Sequence, residues 1–80
     1  MGIRPPLSRR EIEVIRMWVQ SESKAAAATT LGISLGTMNT HLSRIRRKYM
    51  QAGRPASDKA ALLVRALQDQ IITLAAFDEG

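Results

Sequence analysis

Apolar residues recur at three- and four-residue intervals along most of the chain, the mark of helices packed by one face. No stretch alternates long enough to predict a strand. Val14, Ile15 and Trp18 form the first such stripe, with Ile12 and Val19 towards its edge. Ser8-Arg9-Arg10-Glu11 has the form of a capping box, in which Ser8 caps and Glu11 reaches back. Leu7, just before it, is set to staple against Ile12, so a helix is expected from Ser8 to about Gln20. Ser23 offers a second N-cap ahead of Lys24–Leu31, which is rich in alanine, the best helix former. Gly32 stands where a left-handed residue ends a helix, and only Gly32, Ile33 and Ser34 separate this segment from the next.

Ser34 is a third N-cap, opening a helix over Leu35–Met50. Met38, Leu42, Ile45 and Tyr49 fall within about 60° of one another on its helical wheel, a buried stripe. The opposite side carries Gly36, Thr40, Ser43 and Arg47, flanked by Thr37, Asn39 and Arg44. It is small and polar at its start and cationic towards its end. Gly53-Arg54-Pro55 breaks the chain, and Ser57 is read as the cap of a last helix, with Asp58 in its first turn, running to about Asp69 or further. Ala60, Leu63, Val64 and Leu67 make one stripe of that helix, and Leu62 and Ala66 a second on another side. The fold class is therefore all-α: a four-helix, bundle-like domain with a helix-turn-helix and no β-wing.

Composition narrows the chemistry. Eighty residues hold one small domain with a thin core. We divide it into a flexible N-terminal segment or linker remnant (1–6), the folded domain (7–74) and a frayed tail (75–80). With no cysteine there is no disulfide, thiolate metal site or cysteine nucleophile, and the one histidine, His41, cannot build a multi-histidine metal site. His41 lies at the margin of the buried stripe and reads as a packed imidazole. No metal, cofactor, small-molecule ligand or catalytic residue is expected, and no apolar run reaches the ~20 residues of a membrane span. The expected setting is a soluble protein of the cytoplasm, nucleoid-associated when bound.

Charge is where the sequence departs from an ordinary helical domain. Net charge is +5, but no Asp or Glu lies between Ser23 and Ser57, while Lys24, Arg44, Arg46, Arg47, Lys48 and Arg54 do. Such a local excess draws phosphate backbones by counterion release. A major groove admits one α-helix, provided that helix is held proud by others behind it. The third helix suits that task. Asn39, Thr40, Ser43 and Arg44 are the candidate base readers, with Gly36 removing bulk. Ser23, Lys24, Ser34, Thr37, Arg46, Arg47 and Lys48 are the candidate phosphate contacts, Ser23 and Ser34 standing where helix N-termini can offer backbone N–H groups. Arg46 has a second reading, lying over Tyr49 or Met50.

Leu7–Glu11, Val14-Ile15, Leu31-Gly32-Ile33-Ser34, Thr37-Met38-Asn39-Thr40-His41, Ile45 and Lys48-Tyr49 together resemble the LuxR/GerE-type DNA-binding domain, carried at the C-terminus of NarL/FixJ-class response regulators. The resemblance covers about residues 7–69. It implies a four-helix domain that binds double-stranded DNA as a dimer and regulates transcription, with RNA polymerase a further candidate partner. It also implies base reading from Asn39, Thr40 and Ser43, the first usually Lys in the family, and dimer contact through the fourth helix, which would give Leu62 and Ala66 a purpose. Two segments depart from the pattern. Lys24-Ala25-Ala26-Ala27-Ala28 stands where Asn-Lys-Glu-Ile-Ala is usual, and Gln51–Ser57 is longer and more proline-rich. Two other classes fit the same features: the promoter-reading region of a sigma factor, and a basic protein-interaction module gripping an acidic partner.

Overall fold

The computed structural model describes residues 4–75, and among them every regular element is helical: α1 (Arg9–Gln20), α2 (Lys24–Leu31), α3 (Leu35–Gln51) and α4 (Lys59–Gln68). The N-terminal signals hold as read for three helices. Ser8 and Glu11 form the reciprocal capping box, Ser23 Oγ accepts from Ala26 N–H, and Ser34 Oγ accepts from Thr37 N–H. The fourth cap is Asp58, not Ser57: its carboxylate accepts from Ala61 N–H at 2.7 Å. A carboxylate is the stronger acceptor and favours the positive end of the helix, which explains the one-residue difference.

Three helix ends share one closure. After α2, Gly32 is left-handed (φ 71°) and Ile33 N–H donates back to Ala28 O. After α3, Gly53 is left-handed and Arg54 N–H donates to Tyr49 O; after α4, Gln70 takes that conformation (φ 60°) and Ile71 N–H donates to Ala66 O. Each closure satisfies an orphan carbonyl and turns the chain back towards the core.

Helix α1 is the hub, packing against α2, α3 and α4, while α2 and α3 pack on each other. The core joins Val14, Ile15 and Val19 of α1 to Met38, Leu42, Ile45 and Tyr49 of α3, as the spacing of the latter requires. Ala27 and Ala28 fill the α2 position in that core while Ala25 and Ala26 stay exposed. Half of the alanine run is thus packing: the small side chains let α2 lie close to its neighbours. Trp18 is only half-buried, and Val19 takes the place in the core expected for it.

The last helix turns the opposite way from the reading of its two stripes. Leu62 (2% exposed) and Ala66 (0%) are core, whereas Val64 is 49% exposed and Ala60, Leu63 and Leu67 face outward or sit half-buried at the rim. Both stripes are apolar, so helical periodicity could not choose between them. The choice is made by packing of α4 on α1. Ile71 and Ile72 are buried in the same core, and Arg16 Nε donates to Ile71 O at 2.9 Å, tying the returning chain to α1. At the other end Pro5 is buried between exposed Arg4 and Pro6, and Leu7 N–H donates to Pro5 O, so this N-terminal strap is held to the domain at Pro5. Of the tail expected to fray, all but Ala75 lies outside the described residues.

Candidate nucleic-acid interface

The outward side of α3 is built by default: four core side chains pin the opposite stripe, and whatever lies across from them must face out. Gly36, Thr37, Asn39, Thr40, Ser43, Arg44 and Arg47 are all exposed. Near its start this side is held short and stiff. Ser34 Oγ donates to Thr37 Oγ1 at 3.0 Å while accepting from Thr37 N–H, and Thr40 Oγ1 donates to Gly36 O at 3.1 Å. These bonds hold both threonine hydroxyls against the helix. A Cβ built at Gly36 would meet only Ser34 Oγ, at 3.8 Å. Nothing inside the chain therefore requires glycine there, and its effect is to keep this part of the surface low.

The cations divide into two kinds. Lys24, Arg44, Arg46 and Arg47 form no hydrogen bond or ion pair among the described residues. They come from the first turn of α2 and from one stretch of α3, on and beside its exposed side. The other two cations of the acid-free stretch are committed inside the fold. Lys48 Nζ donates to Glu11 Oε1 at 2.6 Å and to Pro6 O at 3.1 Å, tying α3 to the N-terminal strap. Lys48, expected among the phosphate contacts, is paired with an anion of the fold, the same Glu11 that closes the capping box of α1. Burial pushes the Glu11 carboxyl up, but the bonds from Lys48 and Ser8 and the Lys48 charge outweigh it, and it lies below the usual glutamate value.

Arg54 is buried, and its guanidinium meets both carboxylate oxygens of Asp69, at 2.7 and 3.0 Å. Tyr49 Oη donates to Asp69 Oδ2 at 2.7 Å, and the Arg54 guanidinium lies 5.5 Å from the Tyr49 ring centre. Burial, together with the Asp69 carboxylate, holds the Tyr49 phenol well above its usual value. Burial also acts to raise Asp69, but the bonds from Arg54 and Tyr49 prevail and lower it. This cluster joins the end of α3 to the end of α4 and offers no cation to a ligand.

The remaining candidates fall as follows. Ser23 and Ser34 use their hydroxyls as caps, so what they leave to an anion is the set of N–H groups in the first turns of α2 and α3. His41 is half-buried. Leu62 and Ala66, expected at a dimer contact, lie in the core of the single chain and present nothing to a partner; the outward apolar residues of α4 are Ala60, Leu63, Val64 and Leu67. Sequence reasoning passed over Met50, which is 67% exposed and with Ser43, Arg46, Arg47 and Pro55 lines a shallow recess of about 400 Å³. Its signal was available: on the helical wheel Met50 falls about 60° from Arg47, on the outward side. No group of three or more His, Asp or Glu placed to hold a metal occurs among the described residues, and no described helix is long and apolar enough to cross a membrane.

A short helix, a three-residue turn closed by a left-handed glycine, and a longer helix with one side pinned and the other exposed define a helix-turn-helix DNA-binding domain. The sequence model of the family described as bacterial regulatory proteins, luxR family (GerE), matches residues 5–56. The chain belongs to that family. The match runs from the N-terminal strap through the end of α3 and stops at Ala56, before α4. No curated protein and no solved structure matches the chain at a significant level.

Proposed function

We propose that this domain reads specific double-stranded DNA as the output part of a cytoplasmic transcriptional regulator of the response-regulator class, with the outward side of α3 in the major groove. The observation that carries this reading is the division of cations. In a stretch without a single carboxylate, the four that lack a partner among the described residues lie on and beside a helix side that is exposed, short and hydrogen-bonding. Arg46, Arg47 and Lys24 meet phosphates, with the first-turn N–H groups of α2 and α3 beside them; Asn39, Thr40, Ser43 and Arg44 meet base edges. The domain works as a symmetric pair through the outward stripe of α4, Leu63, Val64 and Leu67, in place of Leu62 and Ala66.

Selection of bound duplexes from a random pool tests this. The expected result is a defined consensus arranged as two half-sites, whose preferred bases change in Asn39→Ala or Thr40→Ala. A pool with no enrichment, or one displaced equally well by scrambled duplex and by a polyanionic protein, rejects groove reading. Val64→Glu should leave the monomer folded and convert binding on paired half-sites to one copy per duplex; unchanged stoichiometry rejects the α4 pairing.

A further inference from the structure

Three cations from three separate helices line one recess, and the groove reading takes only two of them, Lys24 and Arg46, as phosphate contacts. Lys24, at the start of α2, Arg46, in the middle of α3, and Lys59, at the start of α4, line a cavity of about 230 Å³ together with Trp18 and Ser57. Lys24 and Arg46 have no partner among the described residues. Lys59 Nζ donates to Ser21 O and lies 4.5 Å from the centre of the Trp18 ring, so its charge is held at the recess by a carbonyl and a π-face, neither of which neutralises it. Asp58 is the one carboxylate lining the recess, and one of its oxygens is taken by the Ala61 N–H. Three positive charges against one negative leave a net attraction for an anion, and the exposed Ser57 hydroxyl adds a donor.

The place of this recess relative to α3 indicates what the anion is. Arg46 projects about 100° from Arg47 around the helix, on the same flank as Asn39 and towards α2 and α4. A helix lying in a groove has a sugar-phosphate strand along each flank, and on this flank the strand would pass over Lys24 and Arg46 and reach the start of α4. We infer that Lys59 and Ser57, with Lys24 and Arg46, form a phosphate-binding corner that anchors α4 to one DNA strand, a contact additional to those on the exposed side of α3. This inference rests on the groove reading above. It makes the tie between Lys59 and Trp18 a device for presenting charge, not only a link between α1 and α4.

The test uses the salt dependence of binding to a fixed duplex, together with the fluorescence of Trp18, the one tryptophan of the chain. Lys24→Gln and Lys59→Gln should each reduce the slope of log affinity against log salt by about 0.9, and the double variant by about twice that. Lys59→Arg should restore the slope. Duplex should shift the Trp18 emission of the wild type, and the shift should be lost in Lys59→Gln. A purely structural Lys59 would lower affinity with the slope unchanged, which overturns the corner. So does a slope that stays at the wild-type value in Lys24→Gln, a substitution at a side chain with no partner among the described residues, and that outcome also removes Lys24 from the phosphate contacts of the groove reading. Inorganic phosphate supplies the second arm: emission that responds to it and not to duplex assigns the recess to a free anion and rejects the strand contact. Failure of the wild type to bind any duplex rejects the groove reading itself, an outcome distinct from all of these.

Discussion

Arg47 and Arg54 stand seven residues apart in the same acid-free stretch, and a charge count treats them alike. The fold does not. Arg47 projects from the exposed side of α3 with no partner among the described residues, while Arg54 is withdrawn beneath Tyr49 and closed on Asp69 by two bonds. The same contrast separates Arg46 from Lys48, two residues along: one lines an open recess, the other is bonded to Glu11. A patch of six positive charges in the sequence thus becomes four available to a polyanion and two that hold the scaffold presenting them. A local surplus of charge is therefore an upper bound on what a surface can offer, because any cation that reaches a carboxylate from elsewhere in the chain is withdrawn from it.

The sharpest way to break this division is to exchange the expected consequences. Arg54→Met leaves the largely covered Asp69 carboxylate without its cation, which should cost about 3–5 kcal/mol. On a domain this small that should lower the melting temperature by 10 °C or more, at roughly 4–8 °C per kcal/mol, read by circular dichroism. Melting with the wild type would mean the cluster does not hold the ends of α3 and α4 together. Leu62→Ala belongs to the same class, with an expected loss of about 2–5 kcal/mol because the methyl groups removed are fully packed. Unchanged stability there would return Leu62 to the surface.

Gly36→Ala acts in the other direction. The added methyl group has room within the chain, and alanine is the better helix former, so stability should be unchanged or higher by up to about 1 kcal/mol. Affinity for duplex should nevertheless fall, by about tenfold if the helix backbone approaches the bases closely. Full affinity in this variant would place the DNA farther from the start of α3. Arg47→Ala is milder: its melt should stay within about 0.5 kcal/mol of the wild type, while the salt slope drops by about 0.9.

The smallest effect is on pH. Asp69 and Glu11 both titrate lower in the folded chain than in the unfolded one. Their contribution to stability is therefore complete above the ordinary carboxylate range near about 4 and is lost as pH falls through the lowered folded values. Acid melts should show that loss in the wild type. Lys48→Met should flatten the part due to Glu11, since the bond and charge that lower it are gone. Identical acid limbs in the two proteins would count against the Lys48–Glu11 pair.

The chain itself determined the helices and their limits. Caps at Ser8, Ser23 and Ser34, the left-handed stop at Gly32 and the stripe Met38–Leu42–Ile45–Tyr49 are local chemistry, settled within one or two turns. Because that stripe names the buried side of α3, it also names the exposed one, and the outward residues of α3 were legible from periodicity alone. What only the tertiary structure decided were choices between equivalents. Helix α4 has two apolar stripes, and its packing against α1 put Leu62 and Ala66 in the core. Lys48 and Arg54 look like their neighbours until Glu11, thirty-seven residues away, and Asp69, fifteen away, arrive to bind them. The recess joining Lys24, Arg46 and Lys59 likewise exists only once three helices meet. Backbone and periodicity act over a few residues and can be read in order; the pairing of charges and the covering of faces depend on which distant segment comes to lie alongside.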